Sequence, residues 1–224
     1  MKGLTPVVFD HAFICTPVGA PGAGKLIDFG LREGTPNQHP GQGTANRRFF
    51  FCNAMLELLW VENADETRSE QTRNLRIWER WSDAGRGASP FGIILRPSSP
   101  SQRQVPFPSW KYRPALMPDL ILEVASGVQL AEPMWFYFAR GRRPDEAPLE
   151  RRQPLERPSG FREITGVRLV CPILDGAVVT PAMARAGVIS LDAGEKHLLE
   201  VEFDGGQNGN RADFGPDLPL VFRW

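Results

Sequence analysis

The sequence contains few cysteines and no excess of charge of either sign. Its three cysteines, Cys15, Cys52 and Cys171, are scattered through 224 residues. They are too few for a disulfide framework and form no CxxC pair, so redox and zinc-ribbon chemistry are not indicated, and small buried apolar side chains are expected. Lysine plus arginine and aspartate plus glutamate number 26 each. This balance gives no electrostatic reason to expect nucleic acid or an anionic membrane, so the expected partner is a small molecule or a protein, and the small-molecule ligand is preferred.

Long apolar runs are also missing. No window approaches the run of about 20 apolar residues that a membrane span needs. The first residues, MKGLTPVVFDHAFIC, have an apolar run broken by Asp10 and His11 and no small-residue cleavage site, so a signal peptide is not indicated and a cytoplasmic location is expected. GxSxG and HExxH motifs are absent as well, which removes support for serine hydrolase and zincin chemistry.

The first part of the chain has a strand-rich pattern. Val7–Cys15 is rich in Val, Phe and Ile and predicts a strand. A short helix is expected over residues 25–31, a short strand over 31–36, and two strands over 47–52 and 54–61 that meet at a turn. This order is βαβββ.

Two further blocks follow. Residues 65–83 are charged and predict a helix, and a second block over about residues 89–140 has strands at 90–97, 120–125 and 134–139. Residues 141–160 are dense in Arg, Pro and Glu and are interpreted as a linker. A third block over residues 161–224 contains HLLEVEFD, which echoes AMLELLWV of the first block.

Glu57 is the residue that most needs an explanation, because it lies within the apolar run MLELLWV. A buried carboxylate is costly unless it is paired. Arg47 or Arg48 would pair with it in a purely structural role, and His11, inside the first strand, would then be a core histidine. Alternatively, His11 and Glu57 form a functional pair.

Three motifs, FDHAFI, HPGQGTANRR and MLELLWV, together resemble the glyoxalase-like proteins of the vicinal oxygen chelate superfamily. WKYRP, EPMWFYF and DLPLVFRW add to the likeness. The resemblance implies an α+β fold in which repeated βαβββ modules form a curved mixed β-sheet around a cavity. Residues 1–140 would form the two-module glyoxalase-like domain, and the C-terminal residues a third module-like block.

The resemblance also implies a function. In this superfamily a divalent zinc, nickel, manganese or iron ion chelates two adjacent substrate oxygens and stabilises an enediolate or oxyanion. His11 and Glu57 match the ligands on the first and last strands of the first module, and they are also the candidate proton-transfer residues. A metal-dependent lyase, isomerase or dioxygenase acting on a small oxygen-containing or aromatic metabolite is therefore expected, as a monomer or a homodimer.

Two of the four ligand positions depart from the pattern, because Gly92 and Phe136 occupy them in the second module. His39, Glu132 or Glu200 would have to complete the site, and Glu200 is the preferred third ligand. If none does, the alternative is a non-catalytic small-molecule binding protein without a metal. In either case, the expected contacts to the ligand come from His39, Asn46, Trp110, Tyr112 and Trp135.

A weaker alternative comes from residues 19–25, GAPGAGK, which nearly match the phosphate-binding loop GxxxxGK. The next residue is Leu26, where that motif needs Ser or Thr to bind magnesium. Nucleotide binding would follow only if this loop cradled a phosphate.

Overall fold

A computed structural model describes residues 7–83, 86–101, 103–172 and 175–224. Within these ranges the chain forms two mixed sheets connected by short helices. The eight-stranded first sheet consists of β1 (Val7–Cys15), β2 (Asn37–His39), β3 (Thr44–Phe50), β4 (Met55–Val61), β5 (Phe91–Pro97), β6 (Ser109–Tyr112), β7 (Leu122–Ala125) and β8 (Met134–Tyr137). The helices are α1 (Ala23–Asp28), α2 (Ala64–Thr67), α3 (Ile77–Ser82) and α4 (Val179–Arg185).

The first sheet is built from two halves of the same topology. Its strand order is β2-β3-β4-β1-β5-β8-β7-β6. In each half the first and last strands run parallel, β1 with β4 and β5 with β8, and the antiparallel pair β1–β5 joins the halves. This arrangement confirms the predicted α+β fold with a repeated module. The second half has no helix between β5 and β6 among its described residues, in keeping with the prolines and serines of this stretch.

The second sheet contains five strands, β9 (Ile164–Cys171), β10 (Ser190–Ala193), β11 (Leu198–Phe203), β12 (Arg211–Asp213) and β13 (Leu220–Arg223), in the order β10-β9-β11-β13-β12. It repeats the plan of the first sheet with fewer strands. Parallel pairs β9–β10 and β11–β13 flank an antiparallel β9–β11 pair. Residues 138–163, between the sheets in sequence, hold only two short 3-10 turns.

The main core lies between the two sheets. Side chains of β1, β4 and β5 such as Ile14, Leu58 and Ile93 pack there against Leu199 and Phe222 of the second sheet. Successive strand residues point to opposite faces, so the alternate residues of the first sheet form a second apolar cluster on its other face. We call this other face, which carries Phe13, Ile94 and Phe136, the site face.

The segment predicted as one helix over residues 65–83 is instead broken into α2, a 3-10 turn and α3. The Asn63 side chain accepts hydrogen bonds from the Asp65 and Glu66 backbone N–H groups and starts α2. Arg76 adopts a left-handed backbone with φ of 55° and separates the 3-10 turn from α3. Leu75, Ile77 and Trp78 of this segment cover one end of the site face. Among the described residues, no helix has the length and apolar character required to cross a bilayer.

Candidate functional site

A β-bulge in β1 brings His11 to the site face. Phe9 pairs with Leu95 and His11 with Ile94. Leu95 and Ile94 are consecutive in β5, whereas Phe9 and His11 are separated by Asp10, so Asp10 is the extra residue of the bulge. In a regular strand of the same length, residues 7, 9 and 11 would share one face, and His11 would point toward the main core with Val7 and Phe9. The bulge instead puts His11 on the face of Phe13, whose backbone is paired with Glu57 in the neighbouring strand.

Asp10 and Arg96 fix the His11 ring. Asp10 Oδ1 lies 2.5 Å from His11 Nδ1, and its Oδ2 lies 3.3 Å from Arg96 Nε. Arg96 also donates from Nη2 to the backbone oxygen of Asn53 at 3.0 Å. The carboxylate therefore holds the proton on Nδ1, and Nε2 has no hydrogen-bond partner among the described residues.

Glu57 lies two positions along the adjacent strand and is oriented by Asn46. The Asn46 side chain is 0% exposed and donates from Nδ2 to Glu57 Oε1 at 2.9 Å. The oxygen of the same amide accepts the Asn37 backbone N–H at 3.1 Å. Because both ends of the amide are occupied, its rotamer is fixed, and Glu57 Oε1 receives a donor of defined direction.

The two arginines next to Asn46 have different roles. Arg48 is the register partner of Glu57 on the site face, where its guanidinium lies 5.2 Å from the Phe50 ring centroid and Nε donates to the Thr35 backbone oxygen at 2.8 Å. Arg47 points to the opposite face and binds Glu33 through Nε at 2.7 Å. The alternation of β3 thus excludes Arg47 as the partner of Glu57 and makes Arg48 its nearest cation by register.

A chain of polar side chains extends the site along the edge of the sheet. His39 has both ring nitrogens occupied, Nε2 by Asn37 Nδ2 at 3.1 Å and Nδ1 by Thr44 Oγ1 at 2.9 Å. Gln42 Nε2 donates to the same Thr44 hydroxyl at 2.9 Å, and its Oε1 accepts the Tyr112 hydroxyl at 2.9 Å. His39 therefore contributes to the polar wall, and neither ring nitrogen is free.

The two histidines have pKa values displaced in opposite directions. Burial lowers the pKa of His11, but the hydrogen bond and charge of Asp10, together with the charge of Glu57, outweigh it, and the net pKa is raised. Burial lowers the pKa of His39, and the charge of Glu57 offsets this only in part. The site thus favours a protonated His11 and a neutral His39 on either side of one carboxylate, a separation typical of acid–base sites.

Aromatic side chains form the apolar part of the site face. The Phe13 and Phe136 rings lie 6.3 Å apart, and so do the Trp110 and Tyr112 rings. Phe13 also covers Gly92, where an added Cβ would lie 2.0 Å from Phe13 Cε1. The structure places Trp110 and Tyr112 on the same face as His11 and Glu57, and their contact with a ligand stays a prediction.

Two of the expected site residues lie elsewhere. Trp135 is 0% exposed in the main core, and its indole N–H donates to Thr180 Oγ1 at 2.9 Å. Trp135 directly precedes Phe136 in β8, so the two side chains point to opposite faces of the sheet, and Trp135 faces away from the site. Glu200 lies on β11 between Leu199 and Val201, which face the main core, so its side chain is on the outer face of the second sheet. There Arg223 Nε donates to it at 2.9 Å, and this hydrogen bond lowers the Glu200 pKa.

The residues at the site do not match the donor set of a resident divalent metal. Catalytic zinc sites use about three protein ligands, whereas the part of the chain that the structure describes contains no cluster of three or more His, Cys, Asp or Glu. His11 Nε2 and the second oxygen of Glu57 are the available donors. Glu132, another candidate, accepts the backbone N–H groups of Gln129 and Thr180, at 3.1 and 3.4 Å, in a different part of the protein.

The near-match to a phosphate-binding loop has a local structural explanation. α1 is six residues long, and Lys25 Nζ pairs with Asp217 at 2.8 Å. A Cβ on Gly22 would lie 2.8 Å from the Leu218 side chain, so this glycine permits close packing against the second sheet.

The role of Asp10 could not be predicted from the sequence, nor could the choice between Arg47 and Arg48 as the partner of Glu57. Asp10 directly precedes His11, but no pattern in the sequence marks the bulge that turns both side chains toward one site. Arg48 shares its face with Glu57 only because of the β3–β4 register. Alternation along one strand puts residues 44, 46 and 48 on the same face, and this pattern could have indicated that Arg48 shares a face with Asn46.

Comparison with known proteins matches the sequence to no family model and to no curated protein. Among solved structures, a hypothetical protein from Staphylococcus aureus is similar over 97% of this chain and 98% of its own, with a TM-score of 0.52 and 10% identity. A variant of 4-hydroxymandelate synthase from Streptomyces coelicolor has a TM-score of 0.42 at 12% identity, over 97% of this chain and 62% of that one. A xylose isomerase-like TIM barrel/4-hydroxyphenylpyruvate dioxygenase fusion protein has a TM-score of 0.41 at 12% identity, over 88% of this chain and 36% of that one. The first likeness shows a shared fold.

Proposed function

We propose that this protein is a glyoxalase-like member of the vicinal oxygen chelate superfamily that binds a small anionic, oxygen-containing or aromatic metabolite without a resident metal. The observation that carries this proposal is the composition of the site face. His11, Glu57 and Arg48 provide a polar centre beside an aromatic wall, while Gly92 and Phe136 supply no ligand in the second module.

The charges of the site favour an anion. Arg48 and Arg96 are opposed by two carboxylates, Asp10 and Glu57, and His11, whose pKa is raised, adds a positive charge whenever it is protonated. Arg48 uses Nε for the Thr35 oxygen, which leaves its terminal NH2 groups for a ligand carboxylate. A guanidinium binds a carboxylate through two parallel hydrogen bonds, and His11 in its protonated form would donate from Nε2 to a second ligand oxygen.

Phenylpyruvate is a suitable probe because it combines a carboxylate, an adjacent carbonyl and an aromatic ring. We expect it to raise the melting temperature, and we expect its uncharged methyl ester to have a much weaker effect. Arg48→Met and His11→Ala should each weaken phenylpyruvate binding by about 10-fold or more, since a hydrogen bond to a charged group contributes about 1.5 to 3 kcal/mol. Arg185→Met, at an exposed position on α4 beside the second sheet, is the matched control. Unchanged binding in both site variants would refute the proposed site.

Metal content tests the metal-free part of the proposal. Protein purified without a metal-binding tag and analysed by inductively coupled plasma mass spectrometry should contain far less than one divalent ion per chain. A stoichiometric metal that Glu57→Gln removes would instead support the metal-dependent lyase, isomerase or dioxygenase.

A second candidate function, proton transfer without a metal, is favoured by the opposed pKa shifts of His11 and His39. In this case Glu57 or His11 would exchange a proton at the carbon next to the ligand carbonyl. Proton NMR in D2O would measure exchange at the phenylpyruvate methylene above the buffer rate. A rate that Glu57→Gln leaves unchanged would exclude this function.

A further inference from the structure

A second cleft, bordered by Arg96 next to the site, has arginines at five of its twelve lining residues. It has a volume of about 590 Å3 and lies where β5 ends and the chain leaves β8. We call it the arginine cleft. Its charged lining residues are Arg96, Arg103, Arg140, Arg142, Arg143 and a single acid, Glu146.

The positive charge of the arginine cleft is only partly neutralised. Arg96 pairs with Asp10, and Arg143 pairs with Asp145 at 2.7 Å and with Glu163 at 2.5 Å. The other arginines of the cleft, Arg103, Arg140 and Arg142, have no ion pair within the described residues. Several like charges around one cleft repel one another until an anion enters.

The backbone that carries two of these arginines is held in place. Arg140 and Arg142 flank Gly141, whose N–H donates to the Phe138 oxygen at 2.9 Å. A Cβ on Gly141 would lie 2.7 Å from Arg96 Cβ and 2.8 Å from Asp10 Oδ2. This close approach fixes the turn against the end of the first sheet, so the cost of ordering the backbone has already been met before a ligand arrives.

We propose that the arginine cleft binds a small organic polyanion of the phosphate or diphosphate class. The guanidinium fork matches the spacing of phosphate oxygens and binds them in pairs. The volume of the cleft is in the range of small-ligand sites, about 300 to 1,000 Å3. The zero net charge of the chain provides no long-range attraction for nucleic acid, and this favours a compact ligand within reach of the exposed side chains of Arg103, Arg140 and Arg142. The proposal does not depend on the function of the site face, although Arg96 borders both.

Inorganic pyrophosphate is the probe, titrated by isothermal calorimetry with potassium chloride holding the ionic strength constant. The test variant is Arg140→Met with Arg142→Met. The matched control is Arg151→Met with Arg152→Met, which removes the same charge from exposed positions in the same connecting segment. We expect the test variant to weaken pyrophosphate binding by about 10-fold or more, and the control by less than about 2-fold, because charge-assisted hydrogen bonds are lost only in the first.

Three results would overturn the proposal. The first is that pyrophosphate binds no better than chloride. The second is that both double variants weaken binding equally, which would indicate general surface charge. The third is that a single-stranded oligonucleotide binds more tightly than pyrophosphate through the same arginines. Arg103→Met provides an independent variant if the double variant melts early, and the same loss is expected. Arg48→Met should leave pyrophosphate binding intact, which separates this test from that of the site face.

Discussion

The contact between Phe13 and Gly92 explains why the second module offers no ligand on its first strand. A Cβ at residue 92 would lie 2.0, 2.2 and 2.7 Å from three carbons of the Phe13 ring. Carbon atoms pack favourably at about 3.5 to 4.0 Å, so the ring would have to move by about 1.5 Å. Phe13 is 5% exposed and packed within the apolar cluster of the site face. We therefore expect Gly92→Ala to lower the free energy of unfolding by about 1 to 3 kcal/mol, as for other overpacked cores.

A double-mutant cycle tests this reasoning. Phe13→Ala alone should cost about 3 to 5 kcal/mol through the cavity it leaves. With the ring removed, Gly92→Ala should cost nothing, or stabilise by about 0.5 to 1 kcal/mol, because alanine suits a strand interior better than glycine. Urea denaturation followed by tryptophan fluorescence would measure all four proteins. An equal cost of Gly92→Ala with and without the Phe13 ring would show that the ring is not the obstacle.

Three further predictions concern hydrogen-bonded polar groups, two of them away from the site and one within it. Arg80→Met should lower the free energy of unfolding by about 3 to 5 kcal/mol in urea denaturation, because Arg80 is 2% exposed and donates to several backbone oxygens; a loss below about 1 kcal/mol would contradict this. Trp135→Phe should cost about 1 kcal/mol in the same assay by removing the donor to Thr180, and Thr180→Val in the Trp135→Phe background should then add little. Asp10→Asn should lower the His11 pKa in an NMR titration. Because the folded pKa of His11 is raised, its stabilising contribution is complete below about pH 6.5 and is lost as the pH rises through the folded value. The stability difference between wild type and Asp10→Asn should therefore shrink as the pH rises through the folded pKa of His11, and a constant difference would show that Asp10 does not raise that pKa.

Much of the fold could be predicted from residue periodicity. The strands containing His11 and Glu57 and those at residues 90–97 and 134–139 have buried apolar runs that determine their type. The strand predicted over residues 31–36 is displaced. It forms later in the chain, at Asn37–His39, and Glu33 makes only an isolated bridge to Phe49. The strand β6 could not be predicted from the sequence, because the surrounding prolines and serines indicate irregular chain.

The candidate site was harder to predict than the fold, because its composition depends on register. His11, Glu57 and Asn46, which the pattern of the first module indicates, reach the site face, and so does Tyr112 of the second. Glu200 has the same local sequence context as Glu57, since LLEVEF echoes MLELLW. However, the two glutamates lie on different sheets, each facing away from the shared core. Only tertiary packing decides which face of a strand meets which neighbour.

The bulge at Asp10 lets one strand serve both faces of the first sheet. Val7 and Phe9, before the bulge, face the main core, whereas His11, after it, faces the site. Removing Asp10 would give Phe9 and His11 regular pairing with Leu95 and Ile94 and would keep the imidazole on the site face, but it would remove the carboxylate that orients the ring. Removing Val8 instead would keep that carboxylate, and regular pairing would then move Phe9 out of the main core. The extra residue therefore allows a core strand to carry an oriented histidine on its opposite face.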